Sequence, residues 1–117
     1  MTAAPAEPPA TVHRNEVHLV GTVSSTPQER ELSDGRGAVT FRLDVHAVTD
    51  TGSARDSLDI PVTGPRARRA ALTWDVGDAV EVDGLVRRKF YTVGARSRPF
   101  TVIEVDRARR LRRGRGR

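Results

Sequence analysis

Basic and aromatic residues alternate in one segment near the C-terminus of the chain. Residues 87–100 contain five cations and three rings, namely Arg87, Arg88, Lys89, Phe90, Tyr91, Arg96, Arg98 and Phe100. A single-stranded nucleic acid is bound by cations that replace the counterions on its phosphates and by flat rings on which its bases stack, for roughly 1–3 kcal/mol per base. The segment therefore predicts a binding site for single-stranded nucleic acid.

The same segment also has a purely structural interpretation, in which Phe90 and Phe100 are cross-strand core partners and the arginines keep a hairpin soluble. For Phe100, which alternates with Thr101 and Ile103, both interpretations stay open. Phe90 and Tyr91 are the better candidates for stacking, because adjacent residues of a strand face opposite sides and at least one of them must face outward.

Two further residues outside this segment bear on the site. Arg42 lies on the polar side of an alternating stretch, where it either contacts phosphate or pairs with an acid such as Asp59, and phosphate contact is favoured. Trp74 ends a stripe of apolar residues at helical spacing, and its size favours a plug in the core over a platform for a base.

The charge of the chain is divided unevenly along its length. Residues 1–86 carry 8 Arg and 13 acids, whereas residues 87–117 carry 11 Arg and Lys89 against Glu104 and Asp106. Arginine binds phosphate as a planar fork and also stacks on bases, so 19 Arg among 20 basic residues favour a nucleic acid partner. A GC-rich genome would explain the preference for Arg over Lys, but not its concentration near the C-terminus.

Enzymatic chemistry finds little support. The three His residues lack metal-ligand spacing, Cys is absent, and neither a P-loop nor a G-x-S-x-G motif occurs. We therefore expect no catalysis, no cofactor and no metal. The absence of a long apolar stretch predicts that the chain does not enter a membrane, and we expect a cytoplasmic, nucleoid-associated protein.

The apolar residues predict an all-β fold with a single helix. Apolar and polar residues alternate with period two over 17–23, 39–45, 58–62, 80–86 and 100–105, which indicates five strands. The stripe over 65–74 predicts one short helix between strands three and four. This order is that of the five-stranded OB-fold barrel, whose helix closes one end.

Composition also predicts how the chain is organised around this barrel. We expect a disordered Ala- and Pro-rich leader over 1–11, the OB-fold domain over 12–106, and a flexible basic tail over 107–117. The tail either adds phosphate contacts or folds back on the acidic side of its own barrel. Because the core is small, we expect a dimer or tetramer of the chain.

Three runs of residues carry a resemblance to a known family. The sequence over 15–21, 39–45 and 77–90 resembles the bacterial single-stranded DNA-binding protein (SSB) family, in the short form found in high-GC bacteria such as actinobacteria. The resemblance covers residues 15–111. It implies an OB-fold, sequence-independent binding of single-stranded DNA in replication, recombination or repair, no cofactor, and a homo-oligomer. An interaction subunit would instead associate with a full-length SSB.

The chain departs from the pattern of that family in two places. The family has stacking aromatic residues on strand three at positions that correspond here to Ser57 and Thr63, so we expect weaker or narrower binding. Longer members end in an acidic tip that recruits enzymes, whereas this sequence ends in basic residues. Two alternatives stay open: an OB-fold interaction subunit of a replication or primosome-like complex, and an RNA-binding module, since stacking and phosphate contacts do not read the 2′-hydroxyl.

Overall fold

The structure, a computed structural model, describes residues 12–114. It contains six strands and one helix, which in chain order are β1 (Val17–Val23), β2 (Gln28–Glu31), β3 (Gly37–Thr49), β4 (Gly52–Val62), α1 (Pro65–Ala71), β5 (Ala79–Val93) and β6 (Arg96–Arg112). The predicted leader over 1–11 lies outside the described residues. No helix in the described part of the chain is long and apolar enough to cross a membrane.

Five of the strands close into a barrel. β1 pairs antiparallel with β5, β5 with β6, and β3 with β4. The ring is completed by a parallel contact between Val62 of β4 and Val105 of β6, and by β3, which meets β1 at Thr22 and Val23. The prediction of a five-stranded OB-fold barrel with one short helix between its third and fourth strands is thereby confirmed.

The short strand β2 lies outside this ring and was not predicted. All four of its residues are exposed and none is apolar, so no period-two signal marks it in the sequence. It forms because its backbone pairs with β3 between Gln28 and Glu31 and extends the sheet by one strand. Because β2 is held by backbone hydrogen bonds, its side chains give no pattern from which the strand could be predicted.

The core consists of inward-facing aliphatic residues of the barrel strands, closed by α1. The largest fully buried side chains include Leu43, Ile60, Val23, Val80 and Val82. Trp74 is 3% exposed and its ring meets that of Phe41 edge to face at a centroid distance of 5.4 Å, so the prediction of a core plug is confirmed.

The helix is shorter than its apolar stripe. It ends at Ala71, because the backbone N–H groups of Thr73 and Trp74 bond to carbonyls three residues earlier and tighten the chain into a turn. The stripe nevertheless marks the buried face correctly, since Ala67, Ala71 and Trp74 are all buried.

The prediction of a flexible tail from Arg107 is wrong for residues 107–112, which belong to β6. Asp83 pairs with Arg107, and the ladder continues until Ala79 pairs with Arg112. A run of arginines is typical of a disordered tail, but here the run pairs with the start of β5. The first part of β5, which contains Glu81 and Asp83, provides both backbone partners and opposite charge, which order the segment. Residues 115–117 lie outside the described part of the chain.

Two antiparallel hairpins extend from the barrel. We define the β3–β4 arm as residues 46–55 and the β5–β6 arm as residues 86–103, and a two-residue turn closes each of them. In the second turn Gly94 has a φ of +61° while Ala95 does not have a positive φ, the type II′ pattern that fits the twist of paired strands. The radius of gyration, 16.8 Å, exceeds the roughly 13 Å of a compact chain of this length because the arms project.

Candidate nucleic-acid interface

The β5–β6 arm distributes the predicted site residues over two faces. Residues directly opposite each other in an antiparallel pair share a face, and Tyr91 pairs with Arg98 while Phe90 pairs with Pro99. One face therefore carries Arg87, Lys89, Tyr91, Arg96, Arg98 and Phe100, and the other carries Arg88 and Phe90. The sequence segment that looked like one row of ligand-binding residues becomes two rows, one on each side of a ribbon.

All three rings of the arm are open to solvent. Phe90 is 58% exposed, Tyr91 47% and Phe100 36%, so the interpretation of Phe100 as a core residue is wrong. Tyr91 and Phe100 stand diagonally on the same face, with ring centroids 5.8 Å apart and ring planes at 56°. Phe100 is exposed because its strand has left the barrel at this point, whereas Ile103, nearer the barrel, still packs against the core.

The cations of the arm differ in what they contact. The ammonium of Lys89 lies 2.8 Å from Glu104 Oε2 and its side chain is only 11% exposed, while Arg87 Nη1 lies 3.5 Å from Glu104 Oε1. Within residues 12–114, Arg88, Arg96 and Arg98 form no ion pair. These three guanidinium groups are therefore the ones available to a phosphate.

An ionic group joins the base of the arm to the loop between β2 and β3, and we call Asp34, Arg36, Lys89 and Glu104 the arm-base cluster. Arg36 donates to both oxygens of Glu104, at 2.6 and 3.3 Å, and its Nε donates to Asp34 at 2.9 Å. The hydrogen bonds from Arg36 hold the pKa of Asp34 at about 2. The same guanidinium, followed by Lys89, keeps the pKa of Glu104 below its ordinary value in spite of burial.

The barrel strands hold the arm at two further points. Asn15 acts as an extra rung of the sheet: its amide donates to the carbonyl of Val86 at 2.7 Å and accepts from the N–H of Val86 at 2.9 Å. The register of β5 and β6 shifts between Asp83 and Gly84, where a Cβ would collide with the carbonyl of Glu104. Glycine thus permits the bend from which the arm leaves the barrel.

Arg42 lies on the outer face of β3, as its position in the alternation predicted. Its Nε is 3.3 Å from Asp59, so the acid-pairing interpretation is confirmed. The two side chains are 54% and 84% exposed, and exposed pairs of this kind contribute little stability. The guanidinium can therefore exchange Asp59 for a phosphate at small cost.

Residues 14–111 match the Single-strand binding protein family, which is most of the chain. The chain belongs to this family. The family and its fold are those of non-enzymatic DNA-binding proteins.

Solved structures of the family share the architecture. An SSB from Plasmodium falciparum in complex with single-stranded DNA is similar with a TM-score of 0.68 and 20% identity, over 85% of this chain and 96% of the other. A small single-stranded DNA-binding protein from Streptomyces coelicolor is similar with a TM-score of 0.57 and 24% identity, over the same shares of the two chains. The search of curated proteins gave no match.

This member of the family carries no ring at the two positions on and after β4 noted in the sequence. Ser57 is exposed on β4 and its hydroxyl donates to Asp44 at 2.5 Å, a bond that, together with one from Ser24, lowers the pKa of Asp44. Thr63 follows β4, and its hydroxyl donates to the carbonyl of Val105. Since Phe41 and Trp74 are buried, the exposed rings are confined to the β5–β6 arm.

Arginines of the predicted tail contact acids of their own barrel. Arg109 Nε lies 2.7 Å from Glu81, and Arg110 Nη1 lies 3.6 Å from Asp78. Burial raises the pKa of Asp78, but N–H bonds from Asp75 and Gly114 and the nearby arginines outweigh it and leave that pKa lowered. For Arg109 and Arg110 the structure therefore agrees with the alternative in which the segment folds back on its own barrel, since both guanidinium groups pair with barrel acids.

The sequence did not identify the residues that position the arm. Asn15 belongs to a run that resembles the family, but nothing in that run indicates its contact with Val86. Arg36 and Glu104 have no local sequence signal, because these two partners lie 68 residues apart. Among residues 12–114 there is no group of three or more His, Asp or Glu side chains that could hold a metal ion.

Proposed function

We propose that this SSB family member binds single-stranded DNA without sequence preference, mainly through the β5–β6 arm. Bases stack on Phe90, Tyr91 and Phe100, and phosphates contact Arg88, Arg96 and Arg98 on the arm and Arg42 on β3. The observation that supports this most directly is that one anchored ribbon exposes three rings together with three guanidinium groups that have no acidic partner within residues 12–114. Rings and free cations together are what a single strand requires.

Arg87 and Lys89 have a different part in this proposal. Their contacts with Glu104 fix the arm, so that they act chiefly by orienting the stacking face, and Arg87, which is about half exposed, also reaches the phosphate backbone. With no rings on β4, the strand has fewer stacking positions and binding is weaker or narrower. DNA is favoured over RNA because a structural relative was solved with single-stranded DNA. The protein then protects exposed strands during replication, recombination or repair, in the cytoplasm at the nucleoid.

Self-association is the second part of the proposal. β1 meets β3 only at Thr22 and Val23, so within the described residues the same edge of β1 has no backbone partner from Val17 to Gly21. Val20, on the outer face of β1, is 51% exposed. A free strand edge beside an exposed apolar side chain favours pairing with a second copy. Light scattering at micromolar concentration should return a dimer or tetramer mass, and a monomer mass would exclude this part.

The experiment that tests the binding proposal is a titration of fluorescent dT and U oligomers at two salt concentrations, with duplex DNA of equal length as the control. We expect binding of dT that weakens with salt, and much weaker binding of the duplex. Equal or tighter binding of U oligomers would assign the protein to RNA. No binding of either oligomer would favour an interaction subunit, which mixing with a full-length SSB would then test.

A further inference from the structure

A small pocket lies where α1 faces the start of β3, away from the β5–β6 arm. Its volume is about 220 Å³. Apolar residues of β3 and α1 line part of it, including Val39 and Leu72, and three arginines, Arg30, Arg68 and Arg69, line the rest together with a single acid, Glu29. The pocket therefore combines an apolar wall with an excess of positive charge.

Arg68 is the residue that indicates a ligand. Its Nε is buried and has no hydrogen-bond partner. In the described residues none of the three pocket arginines forms an ion pair with an acid, and Glu29 does not bond to Arg68. A buried N–H without an acceptor costs about 1–3 kcal/mol. Because this N–H is closed to solvent, an anionic oxygen in the pocket recovers that free energy once the Arg68 side chain shifts toward it. Arginine binds phosphate and carboxylate oxygens as a planar fork.

The pocket is continuous with the groove that contains Arg42. Arg30 lines both, and in the register of β2 with β3 it pairs with Ala38, two residues before Thr40 and on the same outer face as Arg42. Arg42, Arg30 and Arg68 thus form a row of cations that runs from the outer face of β3 across β2 to the helix. A row of cations is what the phosphates of a single strand require.

We propose that the pocket between α1 and β3 is a phosphate subsite, in which Arg68 and Arg69 bind a backbone phosphate of the same strand that contacts Arg42. The sugar of that nucleotide packs on Leu72, which is 43% exposed. This inference rests on the proposed function and extends the DNA path beyond the arm to a second side of the barrel. A carboxylate of an acidic peptide has similar chemistry, but the continuity with Arg42 favours the DNA backbone.

The test compares oligomers of two lengths, since only a long strand reaches both the arm and the pocket. A dT oligomer of about 6 nucleotides and one of about 20 bracket the usual site of an OB-fold, roughly 4–16 nucleotides. Binding of each is measured as a function of salt for the natural protein, for Arg68→Gln with Arg69→Gln, and for Arg66→Gln. Arg66 is on the same helix but does not line the pocket, which makes it the matched control.

For the long oligomer we expect the double variant to reduce the slope of log K against log salt by about 1.4, since each lost phosphate contact removes about 0.7. Its binding of the short oligomer, and all binding by Arg66→Gln, should equal that of the natural protein. Arg69→Gln alone, an exposed change that does not threaten folding, should reduce the slope by about half as much.

An unchanged slope for the long oligomer in folded double and single variants would overturn the pocket assignment while leaving the proposed function intact. Equal losses in Arg66→Gln would also overturn it, because the effect would then reflect the charge of the helix and not the pocket. A natural protein that binds neither oligomer would instead contradict the proposed function itself, so the two failures are distinguishable.

Discussion

The two arms of this barrel have the same backbone architecture and opposite chemistry. Each is an antiparallel ribbon closed by a two-residue turn. The β5–β6 arm carries five cations, three rings and no acid, whereas the β3–β4 arm carries one Arg, one Asp, one His and no ring. Exposure does not distinguish them, since Val48 on the β3–β4 arm is 90% exposed. Side-chain type therefore distinguishes the two ribbons, and only the β5–β6 arm has the rings and cations that a single strand requires.

The arms also differ at their bases. The β5–β6 arm is fixed by the arm-base cluster and by Asn15, which together connect it to the β2–β3 loop and to the chain before β1. Stacking on a ring is productive only when the ring is held in place, because an unconstrained ribbon loses conformational entropy on binding. The β5–β6 arm thus differs from the β3–β4 arm in the contacts at its base as well as in its rings.

The largest effect is expected from removing rings of the β5–β6 arm. Phe90→Ala with Tyr91→Ala should weaken dT binding by more than 1 kcal/mol, since each lost stack is worth about 1–3 kcal/mol, with little change in the thermal midpoint. His46→Ala with Val48→Ala is the matched double variant of the β3–β4 arm and should leave affinity unchanged. Equal losses from both pairs, measured by fluorescence titration, would break the comparison.

The second effect concerns the anchor. Glu104→Gln removes the buried carboxylate that Lys89 and Arg36 share and leaves them Asp34 as their acidic partner. We expect the free energy of unfolding in urea to fall by about 1–3 kcal/mol. Asp59→Asn, which breaks the exposed pair with Arg42, should cost less than about 1 kcal/mol. A smaller loss for Glu104→Gln than for Asp59→Asn would show that the arm-base cluster does not stabilise the protein as argued here.

The same cluster predicts a pH dependence. Because the folded state lowers the pKa of Glu104, and that of Asp34 from 3.8 to about 2, the contribution of these carboxylates is complete above their unfolded pKa values. It is lost as the pH falls toward 2 and protons bind. Acid unfolding followed between these limits should show a weaker pH dependence in Glu104→Gln than in the natural protein. An identical dependence would contradict the assigned role.

The smallest effect separates the arms by charge. Arg96→Gln with Arg98→Gln should lower the slope of log K against log salt for dT binding by about 1.4, because two phosphate contacts are lost. Arg55→Gln, on the β3–β4 arm, should leave the slope unchanged. A comparable decrease with Arg55→Gln would show that the strand also follows the β3–β4 arm and would merge the two arms into one site.

The fold and the binding segment were predictable from local patterns. Period-two alternation locates the five barrel strands, and the helical stripe ending at Trp74 locates the plug, because burial of one face imposes the period directly on the sequence. Cations and rings over 87–100 are adjacent in sequence and need no fold to be noticed. Composition misjudged residues 107–112, since it registers arginine content but not the start of β5, with Glu81 and Asp83, that pairs with it.

The residue types specify an OB-fold core of aliphatic residues and one segment with the chemistry of a single-strand binder. Within that segment Lys89 and Arg87 contact Glu104, which also pairs with Arg36. The tertiary structure sets which cations of the segment are paired, since Arg96 and Arg98 form no ion pair within residues 12–114. It likewise decided that Asn15 anchors Val86 and that Arg68 faces a pocket. Such contacts join residues distant in sequence, and a pairwise charge or hydrogen bond leaves no periodic trace from which it could be predicted.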